Sequence, residues 1–140
     1  MTIAKAISEW LQNFESIKID LSHVEEGCDQ YGLFRSPGRK TKEFTDGSYE
    51  ITEHYQFFAR QSGVSGSERT ESDEWLEQLS YFADDYEYQY EYPKVGGNRK
   101  IKSIRLSGAP YVTESNANSR EILYQMALEI VYVREREMDF

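Results

Sequence analysis

The chain has 140 residues, of which 29% are charged and 39% hydrophobic, and its net charge is −9. That length supports one domain, residues 1–140, with a single core, and no stretch approaches the ~20 apolar residues of a membrane span. Phosphate affinity rests on neutralising charge, so stable, sequence-specific nucleic-acid binding is not expected of so acidic a chain.

Ile3, Ile7, Trp10, Leu11 and Phe14 recur on one face of a helix, with Thr2 as its N-cap and Lys5 where a capping box would need Glu. No charged-then-apolar leader precedes them. Ile17, Ile19 and Leu21 alternate with Lys18, Asp20 and Ser22, a short strand. The acidic turn His23–Asp29 leads to a second strand, Tyr31–Arg35, which Ser36-Pro37-Gly38 should end. A basic loop over 39–42 then connects to the most informative stretch of the chain. There Tyr49, Ile51, Tyr55, Phe57 and Ala59 share one parity, while Glu50, Thr52, His54, Gln56 and Arg60 fill most of the other. This alternation marks a strand with one buried and one wet face. From Ser48 to Arg60 it exceeds the usual ~5–6 residues, and at roughly 3.3 Å per residue it would reach about 40 Å. The expectation is an antiparallel hairpin that projects from the sheet with Arg39, Lys40 and Lys42 near its tip.

Gly63–Ser67 reads as a loop and Ser72 as the N-cap of a second helix carrying Trp75, Leu76, Leu79, Phe82, Ala83 and Tyr86. From Tyr86 to Tyr92 the pattern turns to period two. This is either a packed, partly wet edge or, less simply, a sugar-binding tyrosine strip. After the turn Gly96-Gly97-Asn98, Ile101, Ile104 and Leu106 mark a strand whose parity breaks near Ser103. Residues 107–120 form a polar excursion. Ile122, Tyr124, Met126, Leu128, Ile130 and Tyr132 fit a strand better than a helix, because period two holds for six matches. The order helix, three strands, helix, two strands is α+β, a single mainly antiparallel sheet of about five strands with both helices on one face.

Catalytic and metal-binding signatures are lacking. His23 and His54 are the only histidines, no Ser or Cys nucleophile stands near either in a recognisable frame, and no metal-ligand or phosphate-loop spacing occurs. Cys28 is the only cysteine, with Glu25, Glu26 and Asp29 around it disfavouring a reactive thiolate. The expectation is a protein that is not an enzyme and needs no cofactor.

Charge is segregated. Residues 67–92 hold 9 acidic groups and 1 basic, whereas residues 93–140 hold 6 acidic and 8 basic. These are either solvated faces or a self-complementary pair of surfaces. On the second reading Arg35, Arg39, Lys40, Lys42, Lys100 and Lys102 of one copy face Glu71, Asp73 and Glu74 of the next.

Six pieces together carry a family likeness: the N-terminal amphipathic helix, E-G-C-D-Q-Y-G-L-F-R-S-P (26–37), D-G-S-Y-E-I-T-E-H-Y-Q-F-F-A-R (46–60), S-D-E-W-L-E-Q-L (72–79), I-R-L-S-G-A-P-Y (104–111) and I-L-Y-Q-M-A-L-E-I-V-Y (122–132). The chain resembles the tail-terminator, or minor capsid, proteins of long-tailed phages and prophages of Gram-positive bacteria. The resemblance implies a small α+β structural subunit that forms a six-membered ring, caps the tail tube and joins it to the head. Its implied partners are further copies of itself, the tail tube protein and a head-completion or connector protein, with no membrane. Its implied place is the virion tail, assembled in the bacterial host cytoplasm. No catalytic, cofactor or metal residue transfers with the likeness. The competing reading is a small acidic binding module, of adaptor or immunity type, acting as monomer or dimer.

Overall fold

A computed structural model describes residues 1–15, 19–21, 30–62, 66–89, 91–107, 111–116 and 121–136. The turn His23–Asp29 with its cysteine, and the tail beyond Arg136, lie outside these residues. The elements run α1 (Ile3–Gln12), β1 (Ile19–Asp20), β2 (Gln30–Glu43), β3 (Tyr49–Ser62), α2 (Gly66–Gln89), β4 (Arg99–Leu106), β5 (Tyr111–Asn116) and β6 (Glu121–Arg134). The fold is α+β with one sheet in the order β1-β2-β3-β6-β4, and β5 also pairs with β6. β4 takes Leu128–Arg134 of β6 and β5 takes Glu121–Gln125, so the two share one side of β6 and the sheet is five strands wide. Among the described strands only the β1–β2 pairing is parallel.

The frame is the trio β2, β3 and β6, each of 14 residues. β3 lies between the other two and is hydrogen-bonded to β6 from Tyr49↔Arg134 to Ser62↔Glu121. Both of its sides are therefore occupied within the subunit. The alternation read from the sequence holds for β3 and β6. Tyr31 and Leu33, Ile51 to Ala59 on odd positions, and Ile122 to Tyr132 on even positions are buried on one face. Both helices pack there. Trp10 and Leu11 of α1 and Leu76, Leu79, Ala83 and Tyr86 of α2 join the same core, with Phe14, Ile19, Trp75 and Phe82 packed at its margin. The Trp10 ring lies 5.2 Å from Phe82 and Phe14 lies 5.6 Å from Trp75, so aromatic pairs tie the helices together. No described helix covers the opposite face, where Gln125 donates to Gln56 (2.8 Å) and Gln56 to Ser36 (3.1 Å).

Several sequence expectations need correction. β2 does not end at Pro37. A bulge between Arg35 and Arg39 absorbs Ser36-Pro37-Gly38, Gly38 taking φ +101°, and pairing resumes at Arg39↔Glu53. Proline is tolerated because beyond β1, which pairs only Tyr31 and Gly32, the outer side of β2 has no described strand partner. The hairpin tip is consequently Phe44–Ser48, not the basic loop. Ser48 donates through its N–H (2.9 Å) and hydroxyl (2.6 Å) to Asp46 Oδ1, and these bonds hold that carboxyl below its usual range. Arg39, Lys40 and Lys42 sit in the strand, on an arm exposed from Pro37 to Asp46.

The helix α2 begins at Gly66, so Ser72 is interior and not its cap. It also continues to Gln89 through the first half of the tyrosine run. Tyr86 extends the stripe of Leu79 and Ala83 by one more turn and packs on Trp10, Phe82 and Tyr92. The period-two pattern there is coincidental with helical spacing: Tyr86 is buried while Tyr88 is 82% exposed. Finally, the polar excursion contains a strand, β5. The break near Ser103 is real, a register shift between Ile101 and Ser103.

Candidate functional site

The strands place the basic residues singled out in the sequence at one end of the sheet, but on two faces. Arg35 is opposite Tyr55 and Arg39 opposite Glu53, on the helix-bearing face. Lys40 and Lys42, one residue out of phase with Arg39, are opposite Thr52 and Glu50 on the other face. Lys102 reaches the same Glu50 at 3.1 Å, and Lys42 Nζ stands 5.8 Å from the Phe44 ring. Lys100 is exposed beside them on β4, opposite Val133.

Glu71, Asp73 and Glu74 are exposed on the first half of α2, at the other end. Glu71 and Glu74 border an open depression of about 590 Å³ with Phe14, Glu15 and Trp75, whose indole N–H bonds Glu15. Asp73 accepts from the Tyr124 hydroxyl at 3.0 Å, and Tyr124 is paired with Ala59. Lys42 and Lys102 mark the level of Glu50, nine residues earlier on β3, so they lie about 30 Å from these acidic groups along the strands, whereas Arg39, opposite Glu53, lies about 20 Å away and Arg35, opposite Tyr55, about 13 Å. They do not meet within one subunit.

Sequence reasoning missed the feature nearest to a pocket. Glu53 is only 3% exposed, the one charged residue among the described buried ones. It stands between Ile51 and Tyr55 on the apolar parity, and that interruption was the available signal. Its carboxylate accepts from Tyr132 at 2.9 Å and more weakly from Tyr55 at 3.5 Å. Burial first, and then the Glu53 charge, push the Tyr55 hydroxyl up to about 12. Burial first, and then the bond to Glu53, do the same for Tyr132, also up to about 12. Both phenols therefore stay protonated as donors at neutral pH. Together with Arg35, Arg39, Arg99 and Leu33 these groups line a bay of about 470 Å³ below the start of α1. Arg99 is held in place by the carbonyls of Met1, Val95 and Gly96.

The largest cavity described, about 840 Å³, runs along the outer side of β4 between Tyr88, Tyr92, Pro93, Lys100 and Lys102. No group of three His, Cys, Asp or Glu side chains converges on one point among the described residues. No described helix is long and apolar enough to cross a membrane. No protein-family model matches this chain, and no curated protein matches it.

Proposed function

We propose that this protein is a structural subunit of a phage or prophage tail, a tail terminator that forms a ring on the end of the tail tube and joins it to the head. The ring is hexameric, as the family resemblance implies. The observation that carries the reading is the separation of charge along the strands. Glu71, Asp73 and Glu74 at one end and Lys42 and Lys102 at the other, about 30 Å apart, cannot neutralise each other within a subunit. They suit a head-to-tail contact between copies, and such a heterologous contact closes into a ring when its rotation permits. The exposed β2 arm, with no described strand partner beyond β1, offers each copy a second surface at the same end. On this reading the functional residues are interface residues, Lys40 and Lys42, which share a face, against Glu71 and Glu74 of the next copy, and the protein acts without catalysis or cofactor.

The test is electron microscopy of tails assembled with and without this subunit. Without it, tails should be irregular in length and should not join heads; normal tails on heads would overturn the proposal. Reversing Lys40 and Lys42 together to Glu should reproduce the defect while leaving the fold intact, because both are exposed strand residues on the same face of an outer arm. The double change is the fair test, since one surface pair contributes only ~0–1 kcal/mol. Ring formation should also weaken as salt rises, the Debye length being about 8 Å at physiological ionic strength.

A further inference from the structure

We propose that the bay around Glu53 binds a small zwitterion of the α-amino-acid class. The site is independent of ring assembly and rests on three observations. First, Glu53 is buried with phenols as its only described hydrogen-bond partners, and no cationic group lies within 4.0 Å of its carboxylate among the described residues. A buried carboxylate with no cation in direct contact is costly, so the position favours an incoming ammonium group that can touch it. Second, Arg35 and Arg39 stand on the adjacent strand, directly opposite Tyr55 and Glu53, and both are exposed with no ion pair among the described residues. Third, the space between them is a cavity of about 470 Å³, within the range of small-ligand pockets.

The two signs of charge select the ligand. A simple anion drawn to Arg35 and Arg39 would be pressed against the Glu53 carboxylate. A simple cation drawn to Glu53 would meet the guanidinium groups of Arg35, Arg39 and Arg99 around the bay. A molecule whose ammonium and carboxylate are separated by a single carbon satisfies both, because the opposing strands are themselves only about 5 Å apart. The ammonium takes the lone pairs that Tyr132 and Tyr55 leave free on Glu53, and the carboxylate bridges the arginines. Leu33, 1% exposed, forms part of the apolar wall and favours an aliphatic ligand side chain.

Titrating the full chain with each of the common free amino acids, read by calorimetry and by amide chemical shifts, tests this. At least one aliphatic amino acid should bind at concentrations up to about 10 mM, with shifts centred on Glu53, Tyr55 and Tyr132. Its N-acetyl and its amide derivatives, each lacking one charge, should bind at least about tenfold more weakly. Glu53→Gln and Arg39→Ala should weaken binding by a similar factor, whereas Lys94→Ala, exposed and outside the bay, should not. The derivatives use the unaltered protein, so the proposal remains falsifiable if Glu53→Gln does not fold. Failure of every amino acid to bind, or equal binding of the acetylated or amidated derivative, would overturn it. Tails lacking heads would bear on the ring alone, so the two proposals fail separately.

Discussion

Replacing Leu128 or Leu79 with alanine should lower the unfolding free energy by about 2–5 kcal/mol, as for buried aliphatic side chains generally. Both are only 1% exposed. Leu128 is at the centre of the frame, where β6 pairs with Tyr55 of β3 on one side and Leu106 of β4 on the other. Collapse around a cavity there is resisted by ladders on both sides, which places the expected cost in the upper half of the range. Leu79 projects from α2, which can shift slightly toward the sheet, so its truncation should cost less. Denaturant unfolding measures both. A loss below ~1 kcal/mol for either variant would show that the side chain is not packed as described.

The second large effect should come from alkaline pH. Tyr55 and Tyr132 titrate near 10 when unfolded and are pushed up to about 12 by burial and by Glu53. The folded state therefore binds more protons than the unfolded state between those values. Their contribution to stability is complete below pH 10, falls as pH rises from 10 to 12, and is gone above 12. A tenfold change in acidity corresponds to about 1.4 kcal/mol, but solvent reaching the bay screens the Glu53 charge, so about 1 kcal/mol per phenol is a realistic loss. Unfolding measured at pH 9 and at pH 11.5 should show the decline, and Tyr132→Phe should flatten part of it. A chain equally stable at both values would contradict the described environment of the two phenols.

Much of the architecture was legible because burial imposes a period on the residues that make it. The parity of Tyr49, Ile51, Tyr55, Phe57 and Ala59 and the parity of Ile122 to Tyr132 identified β3 and β6, and the spacing of Ile3, Ile7, Trp10 and Leu11 identified α1. The cap of α1 was legible too, since Thr2 accepts from the Lys5 N–H at 3.1 Å. The candidate site was less so. The interface residues were chosen by charge alone, and charge carries no parity, so Arg39 and Lys40 were grouped although adjacent strand residues face opposite sides of the sheet. Glu53 was visible as a break in an apolar parity, but its significance depends on Tyr132, 79 residues away.

What the sequence determined by itself was the set of elements with one wet and one dry side, because period is a local property that solvent exclusion writes directly into residue order. The tertiary structure decided everything that depended on a neighbour. Pro37 does not stop β2, because a bulge restores pairing with Glu53 and the strand lies where no described partner requires the missing N–H. Tyr86 is helical because Trp10, Phe82 and Tyr92 surround it, and those contacts outweigh a period of two extending over only a few residues. β3 has no free side because β6 returns along its whole length. Glu53 remains buried because Tyr132 of β6, with a weaker bond from Tyr55 on its own strand, supplies its hydrogen bonds. In each case a distant partner completes the arrangement, Trp10 for Tyr86, β6 for β3 and Tyr132 for Glu53, and no local pattern reaches it.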